Sequence, residues 1–342
     1  MRPIFRSELV NAPFGDPGLY VDFKFDRRAL LFDLGDITAL PPKKVLRISD
    51  VFVSHTHMDH FIGFDRLLRL CLGRPTRVRL YGPPGFGAQV EHKLAAYTWN
   101  LVENYPGDFC VDVWEVDSQC DSQCQARGTR MRCRRRFQRE PLEALHCPNG
   151  VLLEEPAFRV RAAVLDHGIP CLGFAVEEKV HVNVWKNRLA DLGLGVGPWL
   201  KELKDAVARD APDDTPVRAW WRDGEQVHER VLPLGWLKAS VLQLVPGETI
   251  CYVTDVAFHP ENARRIAALA AQATQLFIEA TFLDRDADHA ARKKHLTARQ
   301  AGGIARVAGA KQVVPFHFSP RYADCEATIR SEVESAWSGR ES

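Results

Sequence analysis

The chain has 342 residues, 46% of them hydrophobic and 26% charged, with a formal net charge of +1. Such a composition is that of an ordinary globular protein, long enough for one large domain or two modest ones. No stretch approaches 18 consecutive apolar residues, so no membrane span is expected, and the N-terminus lacks the apolar core of a signal peptide. Nine cysteines, an odd and scattered number, read as a protein of a reducing, cytoplasmic compartment rather than a disulfide framework.

In chain order, residues Tyr20 to Phe25 alternate as a half-buried strand, and Ala29 to Phe32 read as its hairpin partner. Asp33 closes that strand and is placed to accept a hydrogen bond behind a neighbouring loop. Val51 to Val53 end a buried strand, and Phe61 to Leu72 repeat apolar residues at helical spacing. Between them lies His55-Thr56-His57-Met58-Asp59-His60. Residues two apart in an extended segment project to one side, so His55 and His57 face together, with Asp59 and His60 at the helix start. Imidazole and carboxylate converging from one loop suit one metal ion or two. Val78 to Tyr81 form a further strand, and Phe86 to Tyr105 run helically after Gly82-Pro83-Pro84-Gly85.

Residues 118–150 interrupt this rhythm. Cys120, Cys124, Cys133 and Cys147 lie there, and seven arginines stand between Arg127 and Arg139 without an acidic residue. One reading is a small structural zinc site. Another is a basic arm on phosphate backbone, carried by Arg130, Arg132, Arg134, Arg135 and Arg136. The third is a solvated insertion.

Phe158 to Leu165 form a strand ending in Asp166-His167-Gly168, and Leu172 to Glu177 return. Asn187 to Ala211 are mostly helical, divided by Gly193, Gly195 and Gly197; Pro212 to Pro233 read as a surface hairpin or loop. Thr249 to Thr254 end in Asp255, whose burial would need a cation beside it. Gln275 to Ala280 repeat that pattern around Glu279. Thr297 is placed to cap the next helix, and Gln312 to Pro315 lead to His317. Histidine or aspartate thus repeatedly closes a strand. The pattern predicts a sandwich of two sheets with helices outside and a site where strand ends meet.

Five segments carry a resemblance: SHTHMDH at 54–60, DHGIPCLGFAVEE at 166–178, TD at 254–255, EATFLDRDADHAARKKHLTARQAG at 279–302 and PFHFSPRY at 315–322. The sequence resembles the metallo-β-lactamase fold superfamily and, within it, the ribonuclease Z family. That resemblance implies an αββα sandwich with two mixed sheets flanked by helices. The whole chain would be one such domain, with insertions at about 118–150 and about 185–235. It implies two zinc ions, with manganese or iron also suited to the donors. His55, His57 and His167 would hold one, Asp59, His60 and His317 the other, and Asp255 would bridge. It further implies a homodimer, and hydrolysis of a phosphodiester by water activated between the ions. Asp59 would serve as general base and His295, held by Glu279, as general acid or, instead, as a phosphate-binding group. Gly193 to Lys204 look like a short version of the family's tRNA-gripping arm. Precursor tRNA is the expected substrate; a small phosphodiester such as a cyclic nucleotide is the alternative.

Overall fold

A computed structural model describes residues 4–117 and 124–339. The chain divides into two compact units, the larger built from residues 4–152, 160–176 and 249 onward. Its strands begin with β1 (Phe5–Leu9), β2 (Leu19–Phe23), β3 (Ala29–Phe32), β4 (Ile48–Phe52), β5 (Arg77–Gly82), β6 (Cys110–Val116), β7 (Gln125–Arg132) and β8 (Arg139–His146). These form one eight-stranded sheet in sequence order. It is mixed: β3, β4, β5 and β6 run parallel, and the pairs at either side run antiparallel.

Then follow β9 (Val151–Glu154), β10 (Phe158–Asp166) and β11 (Pro170–Glu178). The smaller unit, Leu153–Arg159 and Glu177–Glu248, adds β12 (Val180–Val184), β13 (Pro216–Asp223), β14 (Gln226–Pro233) and β15 (Leu242–Pro246). The last three strands are β16 (Thr249–Val253), β17 (Gln275–Glu279) and β18 (Val313–Phe316). A second sheet has the order β18-β17-β16-β11-β10-β9, with β16, β17 and β18 parallel. Phe32 and Phe52 of the first sheet meet Phe174 of the second at ring distances of 5.7 and 5.6 Å. The helix Phe64–Cys71 lays Phe64, Leu67, Leu68 and Cys71 onto Val51, Val53 and Leu80 in one buried cluster. Each such side chain contributes roughly 1.5–3 kcal/mol on burial. On the far side, Ile266 and Leu269 of Pro260–Leu269 and Ile304 of Ala298–Ala308 cover β16 and β17. This is the expected two-sheet sandwich flanked by helices.

In the smaller unit β13 pairs antiparallel with β14, from Pro216↔Pro233 to Asp223↔Gln226, which is the surface hairpin read from Pro212 to Pro233. Leu203 and Trp199 of the helix Trp199–Ala208 pack with Val217, Ala219 and Leu237 in its core. The expected helix from Phe86 to Tyr105 is shorter, ending at Ala95. There the Trp99 indole N–H donates to the Leu94 carbonyl at 2.8 Å. A side chain satisfies the exposed end of the helix, and the chain turns away.

Candidate metal centre

The histidine loop leaves β4 and enters a one-turn helix, Met58–Phe61, with His57 at its N-cap. Leu34 N donates to the His60 carbonyl and Gly63 N donates to the Leu34 carbonyl, both at 2.9 Å. A Cβ on Gly63 would stand 2.1 Å from the Gly35 carbonyl oxygen, so only glycine permits this approach. Asp33 takes a left-handed backbone, φ 58°, which aspartate tolerates better than most residues. His317 shares that conformation, also at φ 58°. Such strain persists where the surrounding structure imposes it, often at functional sites.

Strand ends bring His167, Asp255 and His317 to this loop. Ligand atoms of His55, His57, His167 and Asp255 all lie within 4.8 Å of one another, as do those of Asp59, His60 and His317. The two oxygens of Asp255 divide the ring. Oδ2 lies 3.7 Å from His55 Nε2 and 3.4 Å from His167 Nε2. Oδ1 lies 3.4 Å from His60 Nε2 and 3.0 Å from His317 Nε2. Asp59 Oδ2 stands 3.5 Å from His60 and 3.9 Å from His317. His295 Nε2 approaches Asp255 at 4.0 Å, within the same cluster.

Among the described residues, the buried Nε2 atoms of His55 and His60 have no hydrogen-bond partner. An orphaned buried nitrogen is costly, and here both aim into a ring of nitrogen and carboxylate donors. That donor set fits zinc-type cations, which take imidazole and carboxylate at open sites. Electrostatics agree. Burial, with His60 nearby, lowers the His55 pKa to about 2, and His57 is lowered by burial and by His167. Both rings are therefore neutral and able to donate a lone pair. Burial opposes charge on His60, but the Asp255 and Asp33 carboxylates outweigh it and raise its pKa. Asp255 goes the other way: burial would raise it, and His317 and His60 hold it well below the usual carboxylate range.

Outer partners fix the rings. Asp33 Oδ2 accepts from His60 Nδ1 at 2.9 Å and from the Tyr252 hydroxyl at 3.0 Å, and its Oδ1 accepts from Ser54 N at 2.7 Å. His167 Nδ1 donates to the Lys294 carbonyl at 2.8 Å. Glu279, fully buried, accepts from Val256 N at 2.7 Å and from His295 Nδ1 at 2.8 Å, and Thr281 Oγ1 donates to it as well. Burial lowers the His295 pKa, but the Glu279 carboxylate more than reverses this, to about 9. Thr297 caps its helix with a full capping box. The roles of Tyr252 and Lys294 escape the sequence reading. Their only signal is a polar group at the tip of an apolar strand or a backbone carbonyl, which any strand or turn also offers.

The cysteine and arginine readings resolve differently. Cys124 and Cys133 bracket the eight residues of β7, and nine steps of extended chain span roughly 30 Å, so the two do not share an ion. Cys133 packs with Met131 and Phe137 in the core. Cys147 N donates to the Cys124 carbonyl at 2.8 Å, and both thiols are buried. Cys120 lies outside the described residues. The arginine-rich segment forms β7 and the turn into β8, which extend the first sheet, and its arginines have partners in that sheet and in the loop before β6. Arg130 grips Asp112 with two bonds of 2.7 and 2.8 Å. Arg132 and Arg135 pair with Glu140, Arg136 pairs with Glu103, and Arg134 donates to the Tyr105 and Pro106 carbonyls. Glu140, just past the run, and Asp112 and Glu103, further off in sequence, supply the acids that the run itself lacks.

Comparison with known proteins follows the same line. No protein-family model matches the chain. Over 325 residues it is 32% identical to ribonuclease Z of Deinococcus radiodurans, spanning 94% of this chain and 92% of that protein. In fold it is similar to the short form of human tRNase Z, with a TM-score of 0.50, 18% identity and 93% of each chain covered. It is also similar to a metallo-β-lactamase fold protein of Bacillus subtilis, with a TM-score of 0.54, 15% identity and coverage of 98% and 93%. The chain belongs to the ribonuclease Z family, built on the metallo-β-lactamase fold.

Proposed function

We propose that the protein is a zinc-dependent endoribonuclease that cleaves precursor tRNA on its 3′ side. The observation carrying this reading is the division of Asp255, one oxygen facing His55 and His167 and the other facing His60 and His317. The 32% identity to a ribonuclease Z over nearly the whole chain supports the substrate. His55, His57 and His167 would hold one zinc ion, Asp59, His60 and His317 a second, and Asp255 would bridge; manganese or iron suits the same donors. When bound, the ions supply Lewis acidity and bring the pKa of water towards neutrality.

The chain's own residues do the rest. Asp59, partly exposed at the solvent edge, orients the attacking water and takes its proton. The water oxygen bonds to phosphorus as the bond to the leaving ribose oxygen breaks. His295, charged at neutral pH, gives that oxygen a proton from Nε2, while Glu279 holds Nδ1. In the same reading the chain is one metallo-β-lactamase-like domain with its insertions, and works in the cytoplasm as a homodimer on RNA.

The test is incubation of the purified protein with a 3′-extended precursor tRNA, with and without a chelator. Cleavage near the discriminator nucleotide, lost with chelator and restored by zinc, is expected. It should weaken steeply with added salt, since contacts to phosphates release counterions. Brisk turnover of a small phosphodiester with the RNA left intact would overturn the tRNA reading.

A further inference from the structure

Three loops carry ligands to the metal centre, and each exposes one large apolar side chain beside its ligand. Met58, between His57 and Asp59, is 77% exposed; Ile169, two residues after His167, is 42% exposed; Phe258, three after Asp255, is 49% exposed. The loops are tied together. Ala257 N and Asn262 Nδ2 both donate to the Asp166 carbonyl, at 2.8 and 2.9 Å. The rings of His57 and His167 stand 5.3 Å apart. Single exposed apolar residues are ordinary, but a group of them rimmed by polar residues marks a binding surface. A cation joins this rim. The Lys294 carbonyl holds His167, and its aliphatic stem runs beside Gly168, 3.8 Å from where a Cβ would stand.

Resting on the ribonuclease reading above, we propose that this rim is a subsite for an unpaired nucleotide adjoining the scissile phosphate. Its base lies on Met58, Ile169 and Phe258, and Lys294 meets the neighbouring phosphate. A phosphate held among the ligands brings the adjoining bases to the loops that carry them. In a duplex both faces of a base are covered by stacking, so only an unpaired base has a face to give. Aromatic and other apolar surfaces accept that face whatever the base, while a basic group beside them follows the backbone.

The test uses the full chain with Met58→Ala and Phe258→Ala, singly and together. The substrates are a 3′-extended precursor tRNA and the same RNA made abasic at either nucleotide flanking the cut. Each alanine should raise KM about tenfold with kcat unchanged. Removing the base at one flanking position should raise the wild-type KM alike, and the variants should then add nothing. Lys294→Gln should lower the slope of log KM against log salt by about one. Variants that keep the wild-type KM, or penalties that simply add to that of the abasic RNA, overturn the subsite and leave the ribonuclease reading standing. A wild-type enzyme that leaves the RNA uncut removes both. A change of mass in solution with KM unchanged would give the rim to a second copy of the chain, and also overturn the subsite.

Discussion

Asp33 and His60 share a hydrogen bond of 2.9 Å in the complete absence of solvent. The carboxylate fixes which imidazole nitrogen carries the proton and turns Nε2 towards Asp255. Tyr252 and Ser54 hold the carboxylate in turn. Partners of this kind are worth roughly 10–100-fold in metal affinity. Asp33→Asn should therefore weaken zinc binding by about that factor, measured by competition with a chromophoric chelator. An unchanged affinity would mean that His60 needs no such support.

Loading the site should release a proton. Without an ion His60 keeps its charge, because Asp255 and Asp33 outweigh the cost of burial. A ligand nitrogen must be unprotonated to bind, so zinc affinity should fall as pH falls. Calorimetric heats of binding at neutral pH should vary with the ionisation enthalpy of the buffer. Heats that do not depend on the buffer would contradict this state of His60.

Turnover should also respond to pH through His295. Its folded pKa of about 9 lies above the ordinary value of 6.5. The acid is thus charged below about 9 and lost above it. The stability it contributes is fully present below 6.5 and disappears as pH rises through 9. Glu279→Gln removes the carboxylate and should bring the alkaline limb of kcat down towards neutrality. A limb that stays in place would free Glu279 of this positioning role.

In the proposed mechanism Asp59 is both a metal ligand and the base that takes the proton from water, so Asp59→Ala should abolish RNA cleavage. A rate near wild type, read by single-turnover cleavage, would remove Asp59 from the mechanism.

Arg130 should matter for folding and not for RNA. Its guanidinium makes two bonds to Asp112, whose side chain is only 5% exposed and whose other cation, Arg77, stands further off at 3.7 Å. Breaking such a pair strands a buried carboxylate, so Arg130→Ala should cost roughly 3 kcal/mol in denaturant unfolding. Burial would raise the Asp112 pKa, but Arg130 and Cys110 bring it below its ordinary value. Its stabilisation is fully present above the ordinary carboxylate range and lost as pH falls from there through the lower value of the folded state. Unchanged stability with weakened RNA binding would restore the basic-arm reading.

The local pieces are legible in short stretches of the chain: a strand, four close-set candidate ligands and a helix at His55 to His60, and histidine or aspartate closing later strands at His167, Asp255 and His317. The Thr297 cap is legible in the same way, and so is Pro212 to Pro233 as a surface hairpin or loop, which the fold makes the β13–β14 hairpin. Period, capping and turn chemistry act over a few residues, so they are written in the chain. Long-range folding sets how Asp255 shares its oxygens between two pairs of histidines. It alone brought Tyr252 to Asp33 across 219 positions, separated Cys124 from Cys133 along β7, and matched the arginines to acids elsewhere. Those outcomes depend on which strands pair and in what register, which long-range packing sets and no short stretch of sequence records.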